Sequence, residues 1–137
     1  MNQEKDIQVS VKEAYSNAVS LLESGNYKLA EKQLAEILIN YPNDPNALRL
    51  SGVSSIDQGK PEIALIPLQK ALKIAPDFSQ AHEDLGTAWF LLGDLNKSEV
   101  CLKAALKLDP SKFSTWKSLG DLLSDQEIGR ASCRERV

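Results

Sequence analysis

The sequence predicts an all-α fold, a solenoid of antiparallel helix hairpins about three and a half repeats long. One proline series and two glycine series recur with the same period of 34 residues. The series are Pro42, Pro76 and Pro110; Gly25, Gly59 and Gly93; and Gly52, Gly86 and Gly120. A fixed period of this length is the signature of repeated supersecondary units, each of which buries its apolar face against its neighbours.

Each repeat contains two predicted helices, called A and B here. Apolar residues recur at helical spacing, as at Ala30, Leu34 and Ile37 of the first repeat. The A helices are predicted at residues 11–24, 45–57, 79–92 and 113–125, and the B helices at 27–40, 61–74 and 95–108. Two antiparallel helices approach closely only where one carries Gly or Ala, which explains the second glycine series.

Capping residues and prolines set the helix boundaries. Asp44-Pro45 supplies an N-cap and a first helical residue, and Gly59-Lys60-Pro61 ends one helix and begins the next. Ser111 is the predicted N-cap of the fourth A helix. Pro67 lies inside the second B helix, where we expect a kink without a break, because proline removes one backbone hydrogen bond.

The repeats divide the chain into six segments. They are a lead-in at 1–10, repeats at 11–44, 45–78 and 79–112, the first helix of a fourth repeat at 113–126, and a tail at 127–137. Residues 128–137, Ile-Gly-Arg-Ala-Ser-Cys-Arg-Glu-Arg-Val, resemble, codon for codon, the translation of a short-read sequencing adapter. We therefore interpret the tail as an artefact and expect the natural sequence to be cut off near Gln126.

The register resembles the tetratricopeptide repeat (TPR). That signature combines an aromatic residue near position 4, Leu-Gly at 7 and 8, an aromatic at 11, Ala at 20, a large apolar residue at 24 and Pro at 32. The third repeat has Leu85-Gly86, Trp89, Leu102 and Pro110 at these positions, with Ser98 in place of Ala. The resemblance covers residues 11–126 and implies a right-handed superhelical, TPR-like solenoid.

The resemblance also implies a function. In this family the A helices line a concave groove that holds an extended peptide or a partner helix, mostly through positions 2, 5, 9 and 12. The candidate groove residues are Tyr15, Val19, Asn46, Arg49, Val53, Gln80, Glu83, Thr87, Phe90 and Lys117. Arg49 has the character of an interface anchor, so we expect the partner to bring an apolar side chain and an acidic residue close to it.

Chaperone-binding members of the family use a clamp of Lys, Asn and Arg side chains for a terminal carboxylate. The clamp positions can be counted from the first repeat or from the second. Counted from the first they hold Tyr15, Val19, Leu50, Gln80 and Asp84, and counted from the second they hold Arg49, Val53, Asp84, Ser114 and Ser118. Neither register supplies the required set, so a ligand of that kind is not expected.

Composition and motifs argue against other functions. The net charge of -3 and the lack of a basic cluster exclude a nucleic-acid surface. The chain has no signal sequence and no apolar run of membrane-spanning length, so a cytoplasmic protein is expected. Phosphate-binding, zinc-protease, nucleophile-elbow and redox motifs are missing, so no cofactor, metal or catalytic residue is predicted.

Several conspicuous residues have a structural interpretation. His82 and Cys101 are expected to be packing residues, and Trp89 and Trp116 to lie in the core. Glu83-Asp84 is interpreted as part of a solvated helix face.

Two hypotheses about function follow. The chain is either an independent protein-binding scaffold or the N-terminal TPR scaffold of a longer enzyme, such as a sulfotransferase or glycosyltransferase. From its half-built fourth repeat, the purified fragment is expected to self-associate through exposed apolar residues of its last helix, such as Leu122 and Leu123.

Overall fold

A computed structural model describes the backbone of residues 2–135 and the side chains of residues 10–131. Within this range the chain forms seven α-helices, and each packs against the next. They are α1 Asn2–Glu23, α2 Tyr27–Asn40, α3 Pro45–Asp57, α4 Pro61–Ile74, α5 Ser79–Leu91, α6 Leu95–Leu108 and α7 Phe113–Glu135. The odd-numbered helices are the A helices; α1 contacts α3 and α3 contacts α5, so the A helices lie side by side. The predicted all-α solenoid is confirmed.

The first glycine series ends each A helix within a complete hairpin. Gly59 has φ +76°, and the other two members of its series have φ +78° and +85°. The Gly59 amide donates to the Ile56 carbonyl at 2.9 Å, and the Lys60 amide donates to the Ser55 carbonyl at 2.9 Å. This hydrogen-bond pair reverses the chain, and it requires a residue that adopts a left-handed conformation without strain.

The second glycine series marks where the A and B helices of a hairpin are closest. A Cβ added at Gly52 would lie 2.6 Å from Leu68 Cγ, and one at Gly86 would lie 3.0 Å from Leu102 Cγ. Ser98 replaces the expected alanine beside this contact, and its buried hydroxyl donates to the Gly86 carbonyl at 2.7 Å. The serine therefore satisfies its own polar group within the helix interface.

Consecutive hairpins are joined by apolar clusters rather than by one central core. The first cluster centres on Leu34 and Ile37, the second on Leu68 and Leu85, and the third on buried leucines of α6 and α7. The leucines of this third cluster are Leu102, Leu106, Leu119 and Leu122. Stability therefore comes from each hairpin packing on its neighbours, as expected for a solenoid.

A glutamine at position 14 of the repeat bonds to a glutamate of the preceding B helix at two equivalent places. Gln58 Nε2 donates to Glu31 Oε1 at 2.6 Å, and Gln126 Nε2 donates to Glu99 Oε2 at 3.2 Å. These hydrogen bonds tie α3 to α2 and α7 to α6.

The helix ends differ from prediction at both termini of the chain. α1 begins at Asn2, well before residue 11, because nothing in residues 2–10 stops a helix. α7 continues past residue 125 to Glu135, because no proline interrupts it. A helical backbone at residues 127–135 is compatible with either origin of the tail, so the artefact interpretation stays a prediction. Cys133 has its side chain outside the described residues.

Three further expectations concern single residues. Asp44 caps α3 as predicted, accepting from the Asn46 amide at 2.9 Å, and α4 runs unbroken through Pro67. The prediction that Ser111 is an N-cap was wrong, because α7 begins at Phe113. The Ser111 hydroxyl donates instead to Asp109 at 2.6 Å.

Two residues of α7 also lie where they were not expected. Trp116 was predicted to be core and is 52% exposed, with its indole nitrogen donating to the Pro110 carbonyl at 2.8 Å. Leu122, predicted to be exposed, is fully buried against α6, whereas Leu123 is 40% exposed.

Candidate functional site

The ten predicted groove residues occupy equivalent positions on the four A helices, and none of them is fully buried. Six are half-buried and four are exposed. The half-buried residues are Tyr15, Arg49, Val53, Glu83, Thr87 and Phe90; the exposed ones are Val19, Asn46, Gln80 and Lys117. Their partial exposure is compatible with the predicted groove, which stays a prediction.

A cavity of about 140 Å³ lies between α5 and α7 and brings two of the predicted residues, Thr87 and Phe90, together. Gly86 and the buried Leu102 also line it. The remaining lining residues are Ser98, Ser118 and Asp121. This volume is smaller than most small-molecule sites, which occupy about 300 Å³ or more, and matches a single side chain better.

An ion pair crosses between the second and third hairpins. Arg49 Nη1 lies 2.7 Å from Asp84 Oδ2, and both side chains are 22% exposed. The guanidinium also lies over the Phe78 ring, 5.8 Å from its centroid. Arg49 is therefore already engaged by its own chain, and an acidic residue of a partner would have to compete with Asp84 for it.

A second ion pair, between Glu83 and Lys112, links the third hairpin to the loop before α7. The other Glu83 oxygen accepts from the Ser114 hydroxyl at 3.2 Å. The interpretation of Glu83-Asp84 as a solvated face is wrong, because both carboxylates are half-buried and paired with cations of neighbouring elements. The two pairs neutralise the charges of Arg49 and Glu83 in the middle of the predicted groove.

Burial raises the pKa of two groups in this region. Burial raises the pKa of Asp84 above its ordinary value, and Arg49 only partly opposes that effect. Burial and the neighbouring Asp44 raise the pKa of Tyr15. The Tyr15 hydroxyl is buried with no hydrogen-bond partner among the described side chains. Tyr15 thus stays protonated at neutral pH and keeps a hydroxyl at the first-hairpin end of the groove.

Other chemistry is sparse in the part of the chain that the structure describes. Burial raises the pKa of the half-buried Cys101 thiol, so this residue is a weak nucleophile. His82 Nε2 lies 2.9 Å from the Pro76 carbonyl, equivalent to the Trp116–Pro110 contact one repeat later. No group of three or more His, Cys, Asp or Glu among these residues is placed to hold a metal ion. None of the described helices has the length and apolar character needed to span a bilayer.

Sequence reasoning missed two kinds of residue. The cavity receives Ser98 and Leu102 from a B helix, whereas the expected groove positions lie on A helices only. Asp84 was not predicted to pair with Arg49, although it directly follows the predicted groove residue Glu83. When two carboxylates are neighbours in the sequence, the rotation of their helix decides which of them faces the arginine. The spacing of residues along the sequence does not determine that rotation.

These features define the described part of the chain as an α-solenoid of helical hairpins whose first three A helices lie side by side. Residues 15–77 match the family model described as tetratricopeptide repeat. Residues 15–77 of the chain therefore contain tetratricopeptide repeats. Human Protein O-mannosyl-transferase TMTC3 is 28% identical over 129 residues, which is 90% of this chain and 14% of that protein. The chain thus spans a small part of that relative's length.

Solved structures share the fold. The first TPR of Spaghetti (RPAP3), bound to the HSP90 peptide SRMEEVD, superposes with a TM-score of 0.78 at 17% identity. That match covers 83% of this chain and 90% of the other. An O-GlcNAc transferase mutant from Thermobaculum terrenum has a TM-score of 0.81 at 24% identity, covering 85% of this chain and 22% of that one.

Proposed function

We propose that this protein is an interaction scaffold that holds an extended or helical segment of a partner protein along its A helices. The cavity between α5 and α7 carries the proposal, because an apolar floor at Leu102 beside Phe90 gives an anchor side chain somewhere to bind. A preformed groove lowers the ordering cost of capturing a flexible segment. The peptide-bound TPR of Spaghetti (RPAP3) supports the proposal by its shared fold.

The proposed partner segment has one aliphatic or aromatic anchor and little net charge near the middle of the groove. Arg49 and Glu83 are neutralised by Asp84 and Lys112, so charge there does not select the ligand. A terminal carboxylate is disfavoured at Arg49, because the Asp84 carboxylate already lies beside the guanidinium. This refines the expectation of an acidic partner residue at that position.

A random peptide library displayed on phage, selected on the immobilised protein, provides the probe. Selected peptides are then synthesised and their Kd values measured by isothermal titration calorimetry. Thr87→Arg places a long charged side chain at the cavity without removing a core residue, and should weaken binding by about tenfold or more, roughly 1.4 kcal/mol. Phe90→Ala is less suitable, because Phe90 packs against the third apolar cluster and its loss also destabilises the fold.

Lys73→Glu on α4 is the matched control, since Lys73 is exposed and lies outside the predicted groove positions. The control should bind the selected peptides with unchanged affinity. Equal affinities for wild type and Thr87→Arg, with helicity intact by circular dichroism, would place recognition elsewhere on the protein and refute the proposed groove.

A second proposal is that the same scaffold belongs to a longer enzyme. Two similar proteins bear transferase names, and each is several times longer than the region that matches. Sequencing the source gene to the end of its uninterrupted reading frame tests this second proposal. Further repeats up to the stop codon favour the independent scaffold, whereas a nucleotide-sugar or sulfonate-donor domain favours the enzyme.

A further inference from the structure

The A helices of the second and third repeats bury one side against their own B helices. In α3 that side consists of Leu48, Gly52 and Ser55, at positions 4, 8 and 11, and all three are buried. Leu68 of α4 lies directly over Gly52, so closely that an added Cβ would meet its Cγ at 2.6 Å. These positions form the helix-packing side of an A helix, distinct from the groove positions.

The same side of α7 is open. At its positions 4 and 11, Trp116 is 52% exposed and Leu123 is 40% exposed, whereas Leu48 at the matching place in α3 is 6% exposed. A Cβ added at Gly120 would meet no heavy atom within 4 Å. Separations of three, four and seven residues place Trp116, Gly120 and Leu123 on one helix face. α7 therefore presents a helix-packing face that no other described helix covers.

We propose that this open face binds the same face of a second copy, with the two α7 helices antiparallel about a two-fold axis level with the point between Leu119 and Gly120. Residues at equal distances before and after that point then face each other across the interface, as Trp116 and Leu123 do. Trp116 packs against Leu123 of the second copy, and this contact occurs twice by symmetry. Gly120 meets its own equivalent, where the missing side chain permits close approach of the backbones.

Charge complementarity favours a second copy in this orientation. Lys117 and Asp121 flank the face, are exposed, and form no ion pair with any described residue of their own chain. The antiparallel arrangement places Lys117 of each copy beside Asp121 of the other on the same flank, whereas a parallel one would put these flanks on opposite sides of the interface. The face is thus complementary to itself in both shape and charge.

Sedimentation velocity of the full 137-residue protein over a micromolar concentration series tests the proposal. A concentration-dependent monomer–dimer equilibrium is expected. Gly120→Arg should abolish the dimer while leaving helicity and melting temperature intact, because nothing within the chain contacts that position. A monomer at every concentration, or a dimer that survives Gly120→Arg, would overturn the proposal. The measurement contains no peptide, so its outcome is separate from that of the groove experiment.

A charge swap gives a second readout. Lys117→Asp and Asp121→Lys should each weaken the dimer by about tenfold, since each contact occurs twice, and the double variant should restore it. Failure of the double variant to dimerise would overturn the antiparallel pairing. Lys107→Asp, on exposed α6 surface, is the matched control and should leave the dimer unchanged.

The competing occupant is a helix with the pattern of the B helices. The test adds a synthetic peptide of residues 61–74 to the protein and follows the fluorescence of Trp116 in a Trp89→Phe background. If the protein is monomeric and this fluorescence shifts, the face binds that kind of helix. That result would overturn the second copy as occupant.

Discussion

One glycine position recurs in three repeats with different surroundings, which permits a matched series of substitutions. Gly52, Gly86 and Gly120 all lie at position 8 of an A helix. An added Cβ would lie 2.6 Å from the nearest side-chain atom at Gly52 and 3.0 Å at Gly86, and would meet nothing within 4 Å at Gly120. Substitution by alanine therefore applies the same chemical change to three graded contacts.

The magnitude follows from two opposing effects. Replacing glycine by alanine inside a helix stabilises it by about 1 kcal/mol. Overpacking a filled interface costs about 1–3 kcal/mol, and at Gly52 the overlap involves the branch point of Leu68, so the cost is toward the upper end. We expect Gly52→Ala to destabilise the protein by about 1–2 kcal/mol and Gly86→Ala by about 0–1 kcal/mol. Gly120→Ala should stabilise it by up to about 1 kcal/mol.

Urea denaturation followed by circular dichroism measures the series. Protein concentrations low enough to keep the chain monomeric separate folding from association. The expected order of stability is Gly120→Ala above wild type, then Gly86→Ala, then Gly52→Ala. A Gly52→Ala variant at least as stable as Gly120→Ala would show that the α3–α4 contact is not as close as the structure indicates.

Three further outcomes are expected. Arg49→Met should destabilise the protein by about 1–3 kcal/mol at pH 7, because it leaves the half-buried Asp84 carboxylate unpaired. In that variant the folded-state pKa of Asp84 rises further, so its deficit should shrink as the pH falls through that pKa; a deficit independent of pH between 3 and 7 would contradict this. Cys101 should react with iodoacetamide more slowly in the native protein than in urea, by mass-spectrometric peptide mapping, because burial raises its thiol pKa; equal rates would refute this. Deleting residues 127–137 should leave the melting temperature unchanged within error, because the side chains described at 127–131 are exposed; a substantial loss would show a structural role.

The sequence predicted the repeat architecture well because its determinants are local. Pro45 and Pro61 begin helices where expected, and glycines with positive φ end the A helices of the complete hairpins. Those residues restrict backbone geometry directly, so a 34-residue period translates into helix boundaries without knowledge of the packing.

Exposure and charge pairing could not be predicted in the same way. Trp116 matches a packing position of its repeat, yet it is exposed, because a position is buried only where another helix covers it. Arg49 has the residue type of an interface anchor, but its environment depends on how α5 is rotated relative to α3, which brings Asp84 within 2.7 Å. Both features are properties of helix pairs, whereas the periodic signal describes single helices.

The groove and the open face share α7, so their binding equilibria should be coupled. Ser118 and Asp121 line the cavity beside α5, while Gly120 lies on the opposite, open side. Among the described helices, α7 packs mainly on α6, and covering its free side should reduce its mobility before a ligand binds. Dimerisation should then strengthen peptide binding, and by linkage the peptide should strengthen the dimer by the same factor. Titration of a selected peptide into wild-type dimer and into monomeric Gly120→Arg measures that factor, and identical Kd values would show that α7 is already rigid in the monomer.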